Sequence, residues 1–400
     1  MILVLALGLR AGFAWDYIHR NPERALSTIP FLFEPGNIAA SIEQGKGFSS
    51  PLRVETGPTA WMTPIYPMML AGVFHIFGLY TFPAFLAAVG LNIAFSTLTV
   101  VPIFYAGRRV SGIVTAALAA GLWAIFPNAI LLPFESLWDA SLAALLAALL
   151  LWATVALDGS PRLRGWFAYA LLWGVALMTN ATLVLALPFL LGWLAWRSRS
   201  LTKPALAAGL IILCCVPWTI RNALAMHSFI PLRSVAGLSL WIGNNDQIRG
   251  QWPGRLHPIT NSVERNKYVE MGEIAYMREK RREAVEFILA HPAEELRLTA
   301  SRFVALWSGG TATPLADLIH ARSFSFRFIL LFNLLAAGGA LAGMVMLWRR
   351  GSPYWFPLAV FPVIFPLAYY VTLASARYRH PADPAVLLLT AVALKGIRGR

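Results

Sequence analysis

Charge is what this sequence has least of. Only 13% of its 400 residues are Asp, Glu, Lys or Arg and 58% are apolar, against roughly 25% charged in an ordinary soluble domain. That balance excludes a water-soluble globular chain. Acids are scarcer than bases, 19 against 33, giving a net charge of +14. No soluble basic domain collects the excess and no recognition motif accompanies it, so it does not point to nucleic acid. The two cysteines, Cys214 and Cys215, are adjacent in an apolar run. They exclude a disulfide framework and read as buried thiols. There is no Walker-type loop, no Rossmann glycine run after a strand, no HExxH and no paired CxxC, which argues against a nucleotide-linked substrate. The seven histidines are scattered and suggest no metal site, with His257 and His380 the only two kept as candidates.

Long apolar runs are abundant. Phe82–Ala106 has 25 residues without a charge, Gly112–Leu131 has 20 and Pro353–Ala376 has 24, and about 20 suffice to cross a bilayer. The fifteen tryptophans suit membrane-interface anchoring. Residues 1–18 have no basic segment ahead of the apolar run and no small-x-small site after it. They read as a first membrane helix and not as a signal peptide. The expected spans are 1–18, 82–106, 112–131, 139–157, 166–179, 181–196, 205–225, 325–348, 354–375 and 382–396. Trp166–Trp196 holds 31 residues without a charge, about 46 Å as one helix and too long for a core near 30 Å. Thr179 and Asn180 interrupt it near the middle, so two short helices are predicted.

The charges support that division. With two helices, the loops 107–111, 158–165, 197–203, 349–352 and 395–400 fall on one side and hold twelve Lys or Arg and a single acid, Asp158. This is the positive-inside bias, and it predicts both termini in the cytoplasm. Eight of the nine acids outside residues 228–322 fall at or beyond the opposite face. The first outer segment, 19–81, ends in Ile65–Phe77, which is short for a span and reads as a surface helix. The second, 227–324, carries 12 basic and 10 acidic residues; Val263–Ala290 within it looks helical, with Pro292 as its stop. Three regions result: 1–226 with the first outer loop, the outer insertion 227–324, and the C-terminal helices 325–400.

Ionisable groups at the outer boundary are costly unless paired or used. Glu34 precedes Pro35 at the entry to a predicted helix. Glu135 and Asp139 stand four apart, on one face of a helix end. Arg377 and Arg379 flank Tyr378 just before His380 and Pro381, and two guanidiniums suit a phosphate. Arg221 sits at an outer helix end, and Lys46 and Arg53 flank a glycine-rich turn in the first outer segment.

The order of these motifs resembles a known group. An acid in the first loop is followed by Ile38 to Phe48 with Gly45 and Gly47, then by Gly57 to Pro67 with Pro64 and Tyr66, and by an apolar helix ending at Phe77 and Gly78. Ser375–Pro381 precedes the last helix, and Leu240 to Asn245, His257-Pro258, Glu264 and Met271 to Glu273 lie in the insertion. The pattern is similar to bacterial membrane glycosyltransferases of the GT-C type, the group that includes protein O-mannosyltransferases and the lipid A aminoarabinose transferase. The resemblance implies an all-α polytopic bundle of about ten transmembrane helices in a bacterial plasma membrane. It implies a polyprenyl-phosphate sugar donor, an acceptor lipid, glycan or protein on the periplasmic side, transfer with inversion, and no nucleic acid. The family's first-loop acid, usually Asp, falls on Glu34 as the base, and its second-loop acid on either Glu135 or Asp139. Arg377 and Arg379 would hold the donor phosphate, with Lys46 or Arg53 as additions. Arg221, Tyr66, Tyr378 and His380 are candidate substrate contacts. A ligase or polymerase of polyprenyl-linked glycans shares many of these features. A transporter or flippase would show internal repeats and broken midplane helices, and no repeat is found.

Overall fold

The computed structural model describes residues 1–135, 137–159, 162–247, 253–310, 312–320 and 323–398. Ser136, Ser160, Pro161, Gly399 and Arg400, which belong to segments discussed above, lie outside the described residues. Among those described, helices are joined by turns, with one isolated antiparallel bridge between Ser49 and Pro58 and no strand. The first half holds α1 (Ile2–Arg20), α2 (Glu34–Glu43), α3 (Ile65–Phe77), α4 (Phe82–Ser111), α5 (Ile113–Ile125), α6 (Pro127–Glu135), α7 (Ala140–Leu157), α8 (Leu163–Thr179), α9 (Ala181–Ser198) and α10 (Thr202–Met226). The second holds α11 (Ala236–Gly243), α12 (Ser262–Met271), α13 (Glu273–Ala290), α14 (Pro292–Ser308), α15 (Phe324–Arg349), α16 (Trp355–Tyr370) and α17 (Asp383–Arg398).

The chain is a polytopic helical membrane protein. Among the described residues six helices, α1, α4, α7, α9, α10 and α15, are long and apolar enough to cross a bilayer, and α5 with α6 passes the same test together as a pair bent by 41°. Shorter helices, α8, α16 and α17, occupy the remaining expected spans. The predicted break near residue 180 is present: Asn180 is extended between α8 and α9, and its side chain accepts from the Thr182 N–H.

One expectation needs correction and its neighbour holds. Val263–Ala290 is two helices, because Gly272 between α12 and α13 has φ +75°, a left-handed conformation that ends one helix before the next begins. α13 ends at Ala290, ahead of Pro292 as expected, and Pro292 opens the next helix. It stands in the first turn of α14, where its missing N–H costs nothing.

Buried polar side chains, not apolar contacts alone, tie the bundle. Phe126 is extended ahead of Pro127, as pre-proline sterics favour, and this bends α5 away from α6. Carbonyls freed at such a bend need donors. Arg10 of α1, fully buried, supplies them to Trp123 O at 3.1 Å and Ala124 O at 3.2 Å, and its Nε donates to Ser96 Oγ at 2.8 Å. The Trp123 indole donates to Ser96 O at 2.7 Å and stacks on His380, with centroids 5.2 Å apart. His380 Nδ1 lies 2.9 Å from Asp383 Oδ2, and Arg379 Nε donates to Asp383 Oδ1 at 2.8 Å. Arg379 also donates to Leu306 O, Trp307 O and Asn333 Oδ1, and Asn333 receives Asn128 Nδ2. This cluster joins α1, α4, α5, α6, α14, α15 and α17.

The basic loops meet one another at one end of the bundle. Arg197 pairs with Asp158 at 2.8 Å, Arg109 donates to the Asp158 carbonyl, and Lys395 donates to Ser111 O. Those are the far ends of α4, α7, α9 and α17, and the opposite end carries the cavity described next.

Removing one partner of a buried ion pair leaves the other charge uncompensated, at about 3–5 kcal/mol. Arg379→Met and Asp383→Asn are each expected to lower the thermal midpoint of the detergent-solubilised protein sharply. Lys46→Met, which breaks an exposed pair with Glu55, is expected to leave it unchanged. Equal midpoints for all three would refute this account of the cluster.

Candidate active site

Four segments converge on a cavity of about 210 Å³ at the end away from the basic loops. Glu34 comes from the start of α2. A Cβ on Gly36 would lie 2.0 Å from the Phe31 carbonyl oxygen, so only glycine lets the turn at Ile29–Phe31 fold back on α2 and set the carboxylate in place. Trp138 and Asp139 come from the turn before α7, Arg233 and His257 from the insertion, and Tyr369, Arg377 and Tyr378 from the end of α16 and the connection after it.

The carboxylate of Glu34 is 4% exposed. Its Oε1 lies 3.0 Å from His257 Nε2, and its Oε2 is buried without a hydrogen-bond partner among the described residues. Burial alone would push this carboxyl up. A hydrogen bond from the His257 ring and the Arg377 charge oppose burial and favour the carboxylate. Asp139 Oδ2 accepts from Asn180 Nδ2 at 3.0 Å, so the break between α8 and α9 positions the second acid. The Arg377 guanidinium lies 3.9 Å over the Trp138 ring and donates to Tyr378 OH at 3.2 Å. Tyr378 stacks on Tyr369 at 5.1 Å. Arg233 donates to Thr182 Oγ1 at 3.2 Å. Chemically, the cavity sets two carboxylates and two guanidiniums among aromatic walls. Among the described residues no three His, Cys, Asp or Glu side chains gather as a metal would require.

Of the residues singled out from sequence, Glu34, Asp139, His257, Arg377 and Tyr378 line this cavity. The others lie elsewhere. Glu135 faces a separate cleft with Tyr17 and Arg24, which separates it from Asp139 despite the i, i+4 spacing, because α6 ends between them. Arg379 and His380 are buried in the cluster around Asp383. Lys46 pairs with Glu55, and Arg53 donates to Leu32 O at 3.2 Å. Arg221 donates to Thr59 O and Phe48 O, both at 2.6 Å, and stacks over Phe48 and Trp218. Tyr66 OH donates to Asn92 inside the bundle. Sequence reasoning missed Arg233 and gave His257 no partner. A lone arginine just past α10, on the acid-rich side, was the available signal for Arg233.

One carboxylate anchors the insertion to the first loop. Glu273, in the first turn of α13, accepts from Ala60 N at 2.9 Å, Ser234 Oγ at 2.6 Å, Tyr268 OH at 2.7 Å and the Thr59 hydroxyl. Ala60 and Ser234 directly adjoin Trp61 and Arg233, which line the cavity.

Comparisons with known proteins agree with this architecture. A family model described as dolichyl-phosphate-mannose-protein mannosyltransferase matches residues 61–220. The Archaeoglobus fulgidus oligosaccharyltransferase, in a complex with Zn and sulfate, superposes with a TM-score of 0.59 at 13% identity, over 100% of this chain and 49% of that one. Oligosaccharyltransferase AglB from the same organism, with an inhibitory peptide and a dolichol-phosphate, gives 0.56 at 12% identity, over 100% and 50%. ArnT from Cupriavidus metallidurans in the apo state gives 0.37 at 15% identity, over 92% and 73%. The chain spans about half the length of the oligosaccharyltransferases it matches. No curated protein matches it in sequence. The resemblance to GT-C-type glycosyltransferases is borne out at the level of fold and of the matched segment.

Glu273→Gln replaces one acceptor oxygen with an N–H facing buried donors, an unmade-bond cost of about 1–3 kcal/mol. Faster proteolysis within residues 46–62 and a lowered thermal midpoint are expected. Unchanged cleavage would show that the loop is held by other contacts.

Proposed function

We propose that this chain is an inverting glycosyltransferase that moves a sugar from a polyprenyl-phosphate donor to an acceptor on the non-cytoplasmic face of a bacterial plasma membrane. The observation that carries this reading is the single cavity shared by the Glu34 and Asp139 carboxylates and the Arg377 guanidinium. The positive-inside rule puts the basic end of the bundle, and both termini, in the cytoplasm, which leaves the cavity at the outer leaflet. The insertion 227–324 caps it and selects the acceptor.

An acceptor hydroxyl oxygen attacks the anomeric carbon from the face opposite the phosphate. The new carbon–oxygen bond forms as the bond to the phosphate oxygen breaks, and polyprenyl phosphate leaves with that electron pair. The hydroxyl proton goes to Glu34. Phosphate is a good leaving group, so one carboxylate serves where glycoside hydrolysis flanks its bond with two. Arg377, held flat by Trp138, meets the charge gathering on the phosphate. Arg233 adds a second cation to the cavity lining, the role first assigned to Arg379. Asp139, fixed by Asn180, orients the acceptor. Trp61, Trp138 and Tyr369 give the apolar faces against which a sugar ring packs.

Glu34→Gln keeps the size of the side chain and removes the base. Its kcat is expected to fall by about 10²–10⁴ with little change in donor KM, measured by release of undecaprenyl phosphate. Arg377→Met is expected to raise donor KM and lower kcat together. Normal transfer by Glu34→Gln would exclude it as the base.

A further inference from the structure

The insertion contributes more than a cap, because His257 reaches the carboxylate itself. The Ile259 N–H donates to His257 Nδ1 at 3.2 Å. A ring nitrogen that accepts carries no proton, so neutral His257 bears its hydrogen on Nε2. That nitrogen lies 3.0 Å from Glu34 Oε1 and donates to it. Trp61 packs edge-on against the imidazole, with centroids 5.6 Å apart, and restrains its rotation. The donation occupies Oε1 and leaves the buried, unpartnered Oε2 with its lone pairs free.

We infer that His257 is a positioning residue: its Nε2–H holds one oxygen of Glu34 so that the other, Oε2, takes the proton from the acceptor hydroxyl. The inference rests on the reading of Glu34 as the base and adds which oxygen acts and what aims it. His257 keeps its own proton throughout. The acceptor O–H proton passes to Oε2, and the Nε2–H bond to Oε1 persists. Without it the carboxylate is free to rotate, and misplacing a reacting atom by about 1 Å costs about a hundredfold in rate. The other charged groups that line the cavity are Arg377 from the last connection, Arg233 from the insertion and Asp139 before α7.

The test uses the purified full chain, undecaprenyl-phosphate monosaccharides as donors and membrane lipid extract as acceptor source. His257→Ala is expected to lower kcat about tenfold to a hundredfold with donor KM unchanged. His257→Gln, whose amide N–H reaches toward the same oxygen, is expected to recover most of that loss. It is also expected to shift the acid limb of the pH–rate profile, which in the native protein reports Glu34. If Ala and Gln are equally slow and the acid limb stays put, His257 only holds the loop and the inference fails. If both run at the native rate while Glu34→Gln is slow, the inference fails and the base assignment stands. A native rate for Glu34→Gln removes the base and this inference with it. Independently of turnover, ¹⁵N-histidine solid-state NMR of the protein in bilayers is expected to show His257 Nδ1 unprotonated. A protonated Nδ1 beside an unprotonated Nε2 would overturn the assignment.

Discussion

An arginine inside an apolar bundle must find every hydrogen bond within the protein, and Arg379 is placed by that requirement. It is 1% exposed and spends its donors on Asp383, Asn333 and two carbonyls at the end of α14. Desolvating such a charge is tolerable only when partners are this complete. The short helical turn Ala376–Arg379 turns residues two apart to different sides, so fixing Arg379 inward directs Arg377 the other way, over Trp138 and into the cavity. The same carboxylate that satisfies Arg379 holds His380 against Trp123, and Arg10 caps the bend beside that tryptophan. The buried polar cluster thus determines where the cavity cation stands.

The anionic side of the cavity depends on breaks in helices. Asp139 is reached because α8 and α9 part at Asn180, whose side chain serves both the next turn and the carboxylate. Glu34 is reached because Gly36 permits a close backbone approach. Glu273 then draws the insertion and the first loop together, bringing Arg233, Trp61 and His257 to the same cavity. Interrupted helices and a clamped loop let a membrane bundle present polar groups at one end while its apolar sides face lipid.

Much of the fold was legible in the sequence because a bilayer imposes a simple code. Charge-free runs near bilayer length became helices, the basic loops proved to share one end, and Ile65–Phe77 appeared with the bounds its sequence suggests. Glu34, Asp139 and Arg377 were legible as candidates because polar groups at a membrane boundary demand a reason. What failed was choosing between neighbours. Arg379 and Arg377, or Glu135 and Asp139, look alike in sequence, and only long-range partners such as Asn333 and Asn180 separate them. Arg233 and His257 were obscured because their roles arise from chain segments far away, Thr182 and Glu34.

The central claim is that the carboxylates and the guanidinium of this cavity serve one lipid-phosphate substrate. A cryo-EM structure of the purified protein with undecaprenyl phosphate tests it directly. The account predicts the phosphate within hydrogen-bond distance of Arg377, its tail leaving toward the bilayer and the Glu34 carboxylate across the cavity. Phosphate bound at the basic end of the bundle, or nowhere near Arg377, would contradict it.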